Sequence, residues 1–392
     1  MSSQFLRKQK EKKPVLAICY DFDKTLSPDD MQAQGFIQSV GYEVKSFWEK
    51  SNKLAGENEM DQNLAYMYTM LQTAVGRQSV TREVLRAYGA KVTLFPGVED
   101  WFSRIREYGT QRGVIIEHYV ISSGLKEMIE GTSISKEFEK IYASSFYFDE
   151  SGFARWPAQA INYTNKTQFL FRIEKGILDI NDQGVNDSFS SDKIRVPFRN
   201  IIYIGDSDTD IPCMKLVNSY GGHSIGVYNA QTMDKTKVYK MIQENRIKYF
   251  TPADYSENSE LDKLIKAIIE RTVSNELLES YHIDNKLEQV DNYKTNNEKT
   301  LEQIKEKTNG ILSLESSLSF ANTHTVINSI KHISDWSDKE IEMLLEIGSR
   351  NSQVRYILGD LDVKNFYKRL FESPKCNKET DIAKEINEII NQ

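Results

Sequence analysis

VLAICYDFDKTLS, residues 15–27, places a six-residue apolar run against two aspartates. The run is bounded by Pro14 on one side and by Asp21 and Asp23 on the other, with Phe22 between the acids. Its length and β-branched content suit a central parallel strand buried on both faces. The pattern recurs downstream. VIIEHYVISSG (114–124) ends in Ser122, Ser123 and Gly124, and NIIYIGDSDTD (200–210) ends in Asp206, Asp208 and Asp210. HSIGVYN (223–229) reads as a fourth strand, and apolar alternation around Asp149-Glu150-Ser151-Gly152 marks a hairpin within 141–157. Helical spacing fills 28–92, 95–109 and 165–177, and NDQGVNDSFSSDK (181–193) is a polar surface loop. Strands alternating with helices predict an α/β fold: a Rossmann-like doubly wound parallel sheet with right-handed crossovers. Ligands of such sheets bind beyond the carboxyl ends of the strands. The three polar clusters are therefore expected to meet in space.

The 392 residues are 39% hydrophobic and 27% charged, enough for a large core and for more than one domain. A formal net charge of −7 speaks against a dominant nucleic-acid surface. Cys19, Cys213 and Cys376 form no CxxC pair and read as reduced thiols. No apolar stretch is long enough to span a bilayer, and the basic start MSSQFLRKQKEKKP lacks the apolar segment of a signal peptide. The cytoplasm is the expected location. Residues 1–13 are expected to form a flexible arm. A core is expected over 14–27 and 93–273, with a helical cap over 28–92 inserted after the first strand. A C-terminal helical accessory region is expected over 274–392, joined through the polar stretch 292–300. In that region Ser337 and Glu340 form a capping-box signature, and Ile341, Leu344, Leu345 and Gly348 follow on one face, then Val354, Ile357 and Leu358.

The clusters suggest phosphoryl chemistry. A carboxylate can attack phosphorus and form an aspartyl-phosphate. The step needs a cation beside the attacking carboxylate, for which Mg²⁺ is suited, and an acid to protonate the leaving oxygen. Two carboxyls two residues apart at a strand end offer a nucleophile and an acid/base in one segment. Carboxylates from GDSDTD can complete a metal site, and the Ser122 hydroxyl with a lysine can hold phosphate oxygens.

These segments resemble the motifs of the haloacid dehalogenase superfamily over residues 14–273. Asp21-Phe-Asp23-Lys-Thr25 is similar to its DxDxT motif, and Ser122 in VISSG to its second motif. Lys166 in NKTQFL is similar to its third, and Gly205-Asp206 through Asp210 to GDxxxD. Order and spacing resemble the phosphoserine-phosphatase-like branch, with a helical cap between the first two motifs. The resemblance implies a Mg²⁺-dependent phosphatase with Asp21 as nucleophile and Asp23 as general acid, then base. It implies Mg²⁺ held by the Asp21 carboxylate, the Asp23 backbone carbonyl and Asp206, with Asp210 in or beside the metal shell. Ser122 and Lys166 would bind the phosphoryl group, with Thr25, Ser123 and Gly124 alongside, and cap movement would admit substrate. The intact second acid, Asp23, speaks against dehalogenase chemistry; a phosphomutase stays open. The expected partner is a small phosphorylated substrate, with neither membrane nor nucleic acid, and self-association or a protein partner through 274–392. A phosphatase acting on nucleotide or nucleic-acid ends, and a non-enzymatic scaffold working through 274–392, are the alternatives.

Weaker signals take plainer readings. LAYMYTML (64–71) reads as core packing, Arg77, Arg82 and Arg86 as surface residues, and His118 and His223 as structural. Asp208 reads as a loop carboxylate or helix cap. Trp156 and Tyr163 are placed near the entrance.

Overall fold

The computed structural model describes residues 5–189, 193–293 and 301–391. Alternate residues of strand β1 (Val15–Tyr20) enter opposite cores. Leu16, Ile18 and Tyr20 join one hydrophobic cluster, and Val15, Ala17 and Cys19 the other. This is why the strand is apolar without interruption. Six more strands complete one sheet among the described residues: β2 (Ile115–Leu125), β3 (Lys140–Phe148), β4 (Ala154–Gln159), β5 (Ile201–Gly205), β6 (His223–Tyr228) and β7 (Tyr249–Pro252). The order is β4-β3-β2-β1-β5-β6-β7, parallel throughout except for β4, which runs antiparallel to β3 at the edge. The doubly wound α/β expectation holds, with a hairpin strand added at one edge. Counting the parallel strands alone, the order reverses direction between β1 and β5, the switch point where such sheets bind ligands.

The helices are α1 (Phe36–Ser39), α2 (Val44–Glu57), α3 (Gln62–Ala74), α4 (Arg82–Gly89), α5 (Val98–Gln111), α6 (Lys126–Gly131), α7 (Thr167–Lys175), α8 (Ile211–Ser219), α9 (Thr236–Gln243) and α10 (Glu260–Tyr293). One face of the sheet is covered by α5 and the start of α10, through Phe102, Ile105, Ile265 and Ile269. The other is covered by α7, α8 and α9, through Phe169, Met214 and Val238. The insert between β1 and β2 carries α1 to α4. Its Phe47, Tyr66, Met67 and Met70 belong to the same cluster as Leu16 and Ile18, so it shares the core of the sheet. Its last helix is seated on α6: a Cβ on Gly89 would lie 1.8 Å from the Met128 carbonyl oxygen, so only glycine permits this approach.

The chain divides into two compact units, Met1–Asp182 with Arg195–Leu277, and Gln183–Ile194 with Leu278–Gln392. The boundary expected at 273 falls inside α10, which continues without a break. Ile268, Ile269 and Thr272 are buried, whereas Leu277, Leu278 and Tyr281 are exposed. Of the expected linker 292–300, residues 294–300 lie outside the described residues, as do 190–192 of the loop 181–193 and the first four of the arm. The second unit contains α11 (Leu301–Glu315), α12 (Phe320–Ile330), α13 (Asp338–Arg350), α14 (Ser352–Tyr356), α15 (Leu361–Glu372) and α16 (Asp381–Asn391). The Ser337–Glu340 capping box forms, and Ile341, Leu344, Leu345, Val354, Ile357 and Leu358 are buried in one cluster.

Of the arm expected over 1–13, Arg7, Lys8 and Glu11 make contacts with the rest of the first unit. Arg7 pairs with Asp182 at 2.8 Å, and the Lys8 backbone N–H donates to the Gly176 carbonyl. Lys8 also pairs with Glu117 and Glu139, and Glu11 with Arg195. The basic residues of the arm find buried or half-buried carboxylates, which the sequence does not place nearby. Among the described residues no helix is long and apolar enough to cross a membrane.

Candidate active site

The four expected segments converge at the switch point. Asp21 follows β1, and its backbone N–H donates to the Ile204 carbonyl of β5 at 2.9 Å, holding the two strand ends together. The turn beyond it is tight: the N–H groups of Thr25, Leu26 and Ser27 all donate to the Phe22 carbonyl. Lys24 closes this turn at φ +60°, a left-handed conformation unusual for a side-chain-bearing residue. The same turn brings Asp23 back toward the cleft, where its Oδ1 accepts from the Met31 backbone N–H at 2.8 Å. Gly124, at the end of β2, abuts the other oxygen. A Cβ there would lie 2.8 Å from Asp23 Oδ2 and 2.5 Å from the Met31 methyl. The glycine of VISSG is thus fixed by the acid of the first motif. The β2–β3 register shifts between Ser122 and Leu125, and the Ser122 hydroxyl, buried in the cavity wall, accepts from the Gly124 N–H at 3.0 Å.

Lys166, at the start of α7, is fully buried. Its Nζ donates to Asp21 Oδ1 at 3.0 Å and to Asp210 Oδ1 at 2.7 Å. Both oxygens of Asp210 are engaged: Oδ1 also accepts from the Tyr203 hydroxyl, and Oδ2 from the Ser207 backbone and hydroxyl. Asp210 therefore fastens Lys166 to the loop after β5. Asp206 stays at the cavity wall, 3.9 Å from the exposed Lys237. Asp208 is exposed in a short 3-10 turn capped by Ser207, in keeping with its plain reading.

One lysine faces several acids, and the protonation follows. Burial, then the neighbouring Asp210, raises Asp21 to about 6 against the opposing pull of Lys166. Burial, with Asp210 and Asp21, raises Asp206 to about 8. Burial, with Asp30 and Asp21, holds Asp23 above the usual carboxylate range. Burial disfavours the Lys166 ammonium, but Asp21 and Asp210 outweigh it and raise its pKa. Carboxylate oxygens of Asp21, Asp206 and Asp210 lie within 4.8 Å of one another. This crowded, oxygen-only donor set fits a hard divalent cation, which would offset the repulsion.

The site opens into a cavity of about 450 Å³. Asp21, Asp23, Ser122, Ser123, Gly124 and Asp206 line it; Thr25 and Lys166 do not. Thr25 corrects its expectation of a substrate contact. It is fully buried, its hydroxyl has no hydrogen-bond partner, and its carbonyl accepts from Tyr255. Trp156 is an exposed residue of the edge strand β4, outside the lining, whereas Tyr163 is in it.

Several site residues escaped the sequence reading. Asp61 caps α3 by accepting from the Asn63 and Leu64 N–H groups, and its other oxygen accepts from Asn162 Nδ2 at 2.7 Å. Asn63 donates to the Ile161 carbonyl. Asn162 in turn organises the turn before Lys166, whose N–H it receives. The insert is thereby bridged to the loop that delivers the lysine. Tyr66, read as core, also donates its hydroxyl to the Ser123 carbonyl at 2.8 Å. The partner of Asp61 lies 101 residues away, beyond the reach of any local pattern.

No protein-family model matches the chain. An uncharacterized protein of Borreliella burgdorferi is 26% identical over 277 residues, which is 64% of this chain and 95% of that protein. Among solved structures, a haloacid dehalogenase family hydrolase of Salmonella enterica serovar Typhi is 16% identical, with a TM-score of 0.43, covering 66% of this chain and 73% of that one. A probable phosphoserine phosphatase of Vibrio cholerae is 10% identical, with a TM-score of 0.44 and 67% of each chain covered. A substrate-bound phosphoserine phosphatase is 16% identical, with a TM-score of 0.41, covering 66% of this chain and 99% of that one.

Proposed function

We propose that the chain is a phosphomonoesterase of the haloacid dehalogenase superfamily, working through an aspartyl-phosphate on Asp21. The observation that carries this reading is the meeting of Asp21, Asp23, Ser122, Lys166 and Asp206, from four separate segments, at one switch point. Asp21 attacks the phosphorus, and the bond to the alcohol oxygen breaks. Asp23, whose burial raises its affinity for a proton, gives a proton to that oxygen. It then takes a proton from the water that attacks the aspartyl-phosphate, which releases inorganic phosphate and restores both carboxyls. Lys166 keeps one Asp21 oxygen fixed, and Asp210 keeps Lys166 fixed. Ser122, Ser123 and Gly124 line the cavity and would stand beside the phosphoryl oxygens. Asp21, the Asp23 backbone carbonyl and Asp206 would hold Mg²⁺, which neutralises charge on the phosphoryl group. The small cavity favours a small substrate over a nucleic-acid end.

The test is hydrolysis of a generic aryl phosphate with and without Mg²⁺. Asp21→Asn is expected to lower kcat at least about 1,000-fold and to leave no acid-stable phosphoenzyme, as loss of a nucleophile does. Asp23→Asn is expected to slow turnover most for poor leaving groups. Near-normal turnover by Asp21→Asn rules the mechanism out.

A further inference from the structure

The cavity beyond the reacting acids has a definite charge pattern. Its outer lining comes from Met60, Asp61, Gln62 and Asn63 of the insert and from Asn162 and Tyr163 before α7. Among the described lining residues there is no arginine, and the two lysines already face acids. Lys24 Nζ is 2.9 Å from Asp30, and Lys237 Nζ is 3.9 Å from Asp206. Lys166 does not reach the open space, being buried between Asp21 and Asp210. Beside the paired Lys24 and Lys237, the wall that meets the rest of a substrate offers Met60, three carboxamides, the Asp61 carboxylate and the exposed Tyr163 ring.

Resting on the phosphatase reading, we infer that the enzyme selects phosphomonoesters of small alcohols that carry no second acid, the remainder being uncharged or amine-bearing. Asn63 and Asn162 turn their amide groups to Ile161 and Asp61, and the exposed Gln62 carboxamide can serve hydroxyl and amine groups as donor and acceptor. A carboxylate beside an aromatic face suits an ammonium. A second carboxylate or phosphate would face Asp61 without a guanidinium to pair with, and like charges across a contact are a means of rejection. Asp61 is fixed in place by three hydrogen bonds and cannot swing aside without releasing the α3 cap.

The test uses three esters that differ by one group: ethyl phosphate, O-phosphoethanolamine and O-phosphoserine, with an aryl phosphate as reference. The expected result is a kcat/KM for O-phosphoserine lower than for O-phosphoethanolamine by about tenfold or more, a factor typical of one unpaired charge. Gln62→Arg, which adds a cation to this wall, is expected to narrow that ratio. Equal or better turnover of O-phosphoserine, or turnover of the aryl phosphate alone, overturns the inference and leaves the phosphatase reading standing. No turnover of any of the four esters overturns both.

Discussion

The two units bury different things. Among the described residues, every buried side-chain nitrogen or oxygen without a hydrogen-bond partner belongs to the first unit, Thr25 and Thr251 among them. That unit also buries three clustered aspartates against one lysine. Among the described residues of the second unit the buried polar side chains are Lys307, Ser317 and Thr323. Lys307 pairs with Glu340, and Ser317 with Thr323. Among the described residues the helical unit follows local rules: side-chain caps on α12, α13 and α14, an apolar face on its helices, and partnered buried polar groups. The sheet unit departs from them at the strand ends that form the site and also at scattered positions such as Trp48, His118 and Arg172. Such departures are costly in a fold and are expected where chemistry is done.

The sharpest way to break this comparison is Lys166→Met. It leaves Asp21 and Asp210 facing each other without a cation. The expected loss is about 3–5 kcal/mol from the first unit, the usual cost of breaking a buried pair, together with turnover. Hydrogen exchange followed along the chain during urea titration would place the loss. A variant as stable as its parent would show that the lysine is not what holds the acids. Next comes Leu344→Ala, in the core of the second unit. Leu344 is fully buried, and the truncation is expected to cost about 2–5 kcal/mol there. Turnover of a small ester is expected to persist below the melting of that unit. A parallel fall in turnover would mean that the units do not divide labour.

A smaller effect separates the units by pH. Burial of Glu117 opposes its charge, but hydrogen bonds from Arg195, Lys8 and Tyr119 prevail and lower it to about 2. Its ordinary value is 4.5, so the unfolded chain binds this proton more readily. The stability it lends is complete above about pH 4.5 and is lost as pH falls toward 2. The full span is on the order of 3 kcal/mol. Urea unfolding at pH 5 and pH 3 should show this loss in the first unit, and Glu117→Gln should flatten the dependence.

Much of this was legible in the chain itself. β1, β2 and β5 announce themselves because burial on both faces demands unbroken apolar runs ending at polar clusters. Lys166 was legible from its place before an apolar helix face. β7 was not, because four residues, three of them half-buried, carry little pattern. The retirement of Thr25 from the cavity was hidden too, since it depends on how the turn after Phe22 closes. The Asp61–Asn162 bridge and the Tyr203–Asp210 bond join residues through side chains alone, and no local periodicity records such pairs. The same holds for the arm, whose lysine and arginine look like ordinary solvated charges until their carboxylates are located.

That arm bears on synthesis. Its partners lie 109 to 184 residues downstream, at Glu117, Asp182 and Arg195. At roughly 5–20 residues per second, these partners follow the arm out of the ribosome on the order of ten seconds or more later. The arm's contacts cannot form before then. A tag fused ahead of Arg7 would ride on this late step, so its penalty should appear in folding yield before it appears in catalysis.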